Sequence, residues 1–108
     1  MSAPQRVDLT AGQQLAVVQV DVAAHEWVFG KRRNRSRTEA VAAVREISTD
    51  PVVLGVALGR ALAHLELDGL RAYARLAQLY RSAGADEQVS AADLEWQRTQ
   101  YWASARRR

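Results

Sequence analysis

The sequence has no cysteine among its 108 residues, which excludes structural disulfides, thiolate metal sites and a cysteine nucleophile. It has a single lysine, Lys31, so nearly all of its positive charge is carried by arginine, whose planar fork can grip phosphate or carboxylate bidentately. No apolar run approaches the roughly 18 residues a membrane span requires. No charged-then-apolar leader opens the chain, and the expected location is cytoplasmic.

Catalytic and cofactor signatures are equally sparse. There are two histidines. His25 and Glu26 are adjacent, so on a helix they point in different directions, and His64 and Glu66 are two apart. Neither pair has the spacing of a helical zinc site, in which two histidines four apart flank a general base. Gly55 and Gly59 fall inside an expected helix with no following lysine, so they do not make a phosphate loop, and no Gly-x-Ser-x-Gly elbow occurs. Carboxylates such as Glu39 and Glu46 read as solvated helix faces. No enzyme activity, metal or cofactor is expected; catalysis would require a pocket converging on His25 or His64.

What is present is a helical pattern. Hydrophobic residues make up 48% of the chain, enough for one domain with its own core and too many for a disordered chain. The organising stretch is Asp50–Gly84. Asp50 is placed to cap a helix whose first position is Pro51, where the missing N–H costs nothing. Leu54, Leu58, Ala61, Leu62 and Leu65 then form one stripe. Beside it runs a row of small residues, Gly55, Gly59 and Ala63, whose cost in helix propensity points to close backbone packing. Asp68-Gly69 favours a break into two helices, but the apolar stripe keeps nearly the same phase across it, so one kinked helix of roughly 33 residues stays open as the alternative. The next segment sets Leu70, Ala72, Tyr73, Leu76, Ala77, Leu79 and Tyr80 against Arg71, Arg75, Gln78 and Ser82, and it stops at Gly84.

The flanking segments follow the same logic. Residues 1–9 are short and polar with Pro4, and read as a flexible arm. Thr10-x-x-Gln13 has the form of a capping box. In the segment after it, Val18, Val20 and Val22 alternate as in a strand, but the apolar length, the cap and the Gly30 stop favour a helix. Leu15, Val18, Val22 and Phe29 fall on one side of it and Ala16, Val20, Ala23 and Trp27 on the other, so the expectation is a helix covered on both sides. Ser36-x-x-Glu39 starts a short helix from about Arg37 to Ile47. Ser90, with Asp93 three residues on, is taken as the start of a last helix through Leu94, Trp96, Tyr101 and Trp102, with 106–108 a frayed basic tail. The expected fold is all-α, a single small bundle of four to five helices.

Two surfaces carry the functional expectations. Lys31, Arg32, Arg33, Arg35 and Arg37 put five positive charges in seven residues, in a chain of net charge +3. Such a run can neutralise several phosphates, and Arg71 and Arg75 extend it only if the fold brings them together. The helix starting at Pro51 cannot read base edges, because its first turns are Pro-Val-Val-Leu-Gly-Val-Ala-Leu. No aromatic interleaves with the basic run, which argues against single-strand stacking. The second surface is a protein interface drawn from Gly55, Gly59, Trp96, Arg98 and Trp102. Helices apolar on more than one side imply more buried surface than one small monomer supplies, hence a homo-oligomer or a protein partner. The leading expectation is a non-enzymatic helical interaction protein (an accessory, adaptor or assembly factor) that self-associates. The alternative is a small nucleic-acid-binding protein using segment 31–37.

Overall fold

A computed structural model describes residues 5–30 and 35–106. Within them the chain forms five α-helices and no strand: α1 (Ala11–Val28), α2 (Arg37–Ile47), α3 (Pro51–Asp68), α4 (Arg71–Ala83) and α5 (Glu87–Arg106). No helix among the described residues is long and apolar enough to cross a membrane.

The helix boundaries follow from local chemistry. At α1 the Thr10 hydroxyl accepts from the Gln13 amide while the Gln13 side chain accepts from the Thr10 amide, a complete capping box. Ser36 caps α2 by accepting from the Glu39 amide at 3.2 Å. The Asp50 carboxylate accepts from the Val52 amide at 2.9 Å and also from the Gln13 side-chain amide at 3.1 Å, so one residue starts α3 and ties it to the start of α1. The break at Asp68-Gly69 makes α3 and α4 a hairpin, with Gly69 at φ +67°. Nothing lies within 4 Å of where a Cβ on Gly69 would sit, so Gly69→Ala meets only the left-handed backbone penalty. It is expected to lower stability by about 1 kcal/mol in urea unfolding without loss of helicity.

Helices α1 to α4 surround a shared core in the order α1, α2, α4, α3. The core is built from Val17, Val20, Ala24 and Trp27 of α1, Val44 of α2, Leu54 and Leu58 of α3, and Leu76, Leu79 and Tyr80 of α4. The polar side of α4 faces solvent at Arg71, Arg75, Gln78 and Ser82. Arg45 of α2 reaches across to donate to the carbonyl of Ala83 at 2.7 Å, satisfying an orphan acceptor at the end of α4.

Helix α5 lies outside this bundle, along the other side of α3 and parallel to it. Gly55 sits against Asp86 and Val89, Gly59 against Ser90 and Asp93, and Glu66 against Arg98. That is why α3 is apolar all round: from Val53 to Gly59 every residue is buried, with the bundle on one side and α5 on the other.

Three sequence expectations are corrected here. The last helix starts at Glu87, with Asp86 capping it by accepting from the Gln88 and Val89 amides. Ser90 and Asp93 are instead buried between α3 and α5, where the glycine row leaves room for them. Residues 5–9 are no loose arm, because Val7 and Leu9 pack on the core and the Arg6 guanidinium lies 5.2 Å from the Trp96 ring centre. Only residues 1–4 of that arm lie outside the described residues, as do residues 107–108 of the basic tail, and α5 extends to Arg106. Finally, α1 is covered on one side only.

Candidate functional site

The uncovered side of α1 is the largest departure from expectation. Val17, Val20, Ala24 and Trp27 are buried, but Leu15, Val18, Val22 and Phe29 are 58%, 55%, 63% and 44% exposed. With His25, these positions step by three and four residues, the spacing of a coiled-coil seam. The seam lies opposite the buried face. Its flanks carry both signs of charge, with Asp21 and Glu26 on α1 and Arg60 reaching round from α3 beside Val18 and Val22.

One flank of the seam opens into a polar cleft of about 230 Å³ lined by Asp21, His25, Arg60, His64, Tyr73 and Leu76. The two histidines that seemed unrelated in sequence thus converge, the geometric condition set for catalysis. A chain of rings joins them: His25 stacks on Phe29 at 5.3 Å, Phe29 meets Tyr73 edge-on at 5.6 Å, and Tyr73 stacks on His64 at 5.0 Å. Part of this polar lining is engaged within the chain. His25 Nδ1 lies 2.7 Å from the Asp21 carbonyl, and His64 Nδ1 lies 3.2 Å from the Asp68 carboxylate. The buried Tyr80 hydroxyl donates to the Asp21 carboxylate. Burial first and Asp21 second push the Tyr80 hydroxyl far above the usual phenol range, so it stays a donor. No Ser, Thr or Cys is among the residues lining the cleft, and its ring contacts link Phe29 at the end of α1 to Tyr73 of α4 and His64 of α3.

The basic residues divide. Lys31, Arg32 and Arg33 lie outside the described residues. Arg35 and Arg37 are exposed at the start of α2, and the fold brings Arg75 of α4 to them. All three line one cleft of about 190 Å³ with Ser36, Gln78 and an apolar wall that includes Val28 and Leu79. Arg37 donates to the Gln78 side chain at 3.2 Å. Arg71 is exposed on the same helix as Arg75 but does not line the cleft.

The interface residues expected from sequence also divide. Gly55 and Gly59 are consumed by the chain's own α5 and cannot meet a partner: an added Cβ would stand 2.8 Å and 2.7 Å from atoms of that segment. Arg98 forks onto the Glu66 carboxylate, at 2.6 and 2.7 Å, and also pairs with Glu95, tying α5 to α3. That fork holds the Glu66 carboxyl below its usual range. Trp96 is half-buried under Arg6. Trp102 alone of this group stands open, 60% exposed, its ring edge-on to Tyr101 at 5.5 Å.

Sequence reasoning missed Asp21 and Arg60, the polar partner of Tyr80 and the burial of Asp93. For Asp21 a signal existed, a lone carboxylate in the run Val18–Ala24; the others are tertiary features. No family model matches the chain, and neither the curated proteins nor the solved structures contain a match.

Proposed function

We propose that this chain is a non-enzymatic helical interaction protein, of the accessory or assembly-factor kind, whose partner is a second copy of itself joined through α1. One observation carries the reading: α1 leaves a heptad-spaced apolar seam uncovered. Its four large side chains present roughly 400 Å² of surface, the size of the largest apolar patch on a typical monomer, which is often functional.

A second copy suits this seam better than a loop or an extended peptide would. The seam is straight, spans Leu15 to Phe29 and is centred on Val22, so a two-fold axis at Val22 pairs the seam with itself along its whole length. Mixed charge on the flanks avoids a uniform like-charge field across the two-fold. With its polar borders added, the contact stays near the small end of stable interfaces, so the expected association is micromolar.

Light scattering after size-exclusion chromatography tests this. The parent chain is expected to shift from monomer to dimer mass as concentration rises through the micromolar range. Val18→Asp with Val22→Asp is expected to stay monomeric with unchanged circular dichroism, since both side chains point to solvent in the single chain. A parent chain that remains monomeric at high micromolar concentration contradicts the proposal.

A further inference from the structure

The cleft at the start of α2 gathers positive charge without neutralising it. Arg35 precedes the helix, Arg37 opens it and Arg75 comes from the second turn of sequence-distant α4. No carboxylate is among the lining residues, and no ion pair engages any of the three among the described residues. Elsewhere the chain does pair its arginines, as Arg81 with Glu87 and Arg98 with Glu66 and Glu95 show. Like charges held together at an open cleft cost stability unless an anion joins them. The start of α2 adds to the field, because Ser36 satisfies the Glu39 amide and leaves the amides before it for a ligand.

We propose that this cleft is a phosphate-binding site, and that its ligand is the phosphodiester backbone of a nucleic acid. The chemistry required is that of an oxyanion gripped by guanidinium forks, with an apolar wall to one side. At about 190 Å³ the open cleft accommodates a phosphate group. The sequence places Lys31, Arg32 and Arg33 just before Arg35, giving more positive charge than a single phosphate needs and suiting a polyanion. Three clustered guanidinium groups suit backbone phosphates, a contact that positions a nucleic acid and carries no sequence information directly. This inference is independent of self-association through the exposed seam of α1, since Leu15, Val18, Val22 and Phe29 do not line the cleft.

Fluorescence anisotropy with a labelled mixed-sequence duplex, titrated at several salt concentrations, tests it. Binding is expected to weaken steeply with salt. Arg35→Gln and Arg75→Gln are each expected to weaken it by about tenfold at low salt and to reduce the log–log salt slope by about 1. Gln100→Glu, on an exposed part of α5, makes the same change in net charge and is expected to leave binding within about twofold of the parent. Circular dichroism checks that each variant keeps its helices. Equal loss in Gln100→Glu and Arg75→Gln would overturn the site, as would absence of duplex binding at low salt. Competition identifies the source of the phosphate: pyrophosphate or a polyglutamate peptide that binds as tightly as the duplex would overturn the nucleic-acid assignment.

Discussion

Gly59→Leu is expected to unseat α5 and to cost the protein about 3 kcal/mol, the largest loss among the substitutions considered. The reason is the identity of the obstacles. A Cβ on Gly59 would stand 2.7 Å from Cβ and Oδ2 of Asp93 and 2.8 Å from the carbonyl oxygen of Ser90. A backbone carbonyl cannot rotate away as a flexible side chain can, so α5 as a whole must move outward. Because α5 is one straight element, that movement also weakens the contact at Gly55 and strains the fork of Arg98 on Glu66. Urea unfolding should show the loss. Gly12 provides the control, since an added Cβ there meets nothing closer than Thr10 Oγ1 at 3.9 Å. Gly12→Ala is expected to raise stability by up to about 1 kcal/mol through helix propensity alone. If Gly59→Leu were as stable as the parent, α5 could not be seated on α3 as described.

The second large effect depends on pH and comes from the same contact. Asp93 is 3% exposed, and its Oδ2 atom has no hydrogen-bond partner. Burial pushes its carboxyl up to about 6, from 3.8, against the opposing pull of Arg60, the Gln97 side chain and Arg6. A carboxyl raised on folding holds its proton more tightly in the folded chain than in the unfolded one. Below about pH 4 both states are protonated and Asp93 costs nothing in this balance. Between about pH 4 and pH 6 the unfolded state ionises first, so stability falls as pH rises, and above about pH 6 the full penalty is in force. A rise from 3.8 to about 6 corresponds to roughly 3 kcal/mol. Asp93→Asn is therefore expected to be more stable than the parent at pH 8 by up to about 3 kcal/mol, less whatever the buried amide costs, with the gain shrinking toward pH 4. The difference between the two stability–pH curves isolates Asp93 from the other carboxylates. Parallel curves would mean that this carboxyl is solvated.

These effects show where sequence reading succeeds and where it stops. Asp50, Pro51 and Gly84 act within a few residues of themselves, so the start of α3 and the end of α4 were legible from a cap, a proline and a glycine, while the break at Gly69 stayed open because the apolar stripe keeps its phase across it. The glycine row was legible as a close contact because nothing else justifies glycine twice inside a helix. What covers it was not. Ser90 and Asp93 have the spacing of a helix-start signal, and only the three-dimensional neighbour turns them into buried polar residues against Gly59. For α1 the difficulty was different. Periodicity assigned its apolar residues to two opposite faces, but it carries no information about which face the chain covers, and one face was left open. The meeting of Arg75 with Arg35 and Arg37, and of His25 with His64, depends on how α4 and α3 return past α1, which no local pattern encodes.

The open face of α1 is the centre of the functional account, and the lack of cysteine allows a direct test. Val22→Cys places a single thiol at the middle of the seam, where a two-fold contact brings it opposite its own copy, and Ser82→Cys places one on the exposed side of α4. Both chains, oxidised at equal micromolar concentration and separated on a non-reducing gel, give the measurement. Rapid and nearly complete dimer formation by Val22→Cys, with little by Ser82→Cys, is the predicted result. Equal and slow cross-linking of the two would contradict self-association through α1.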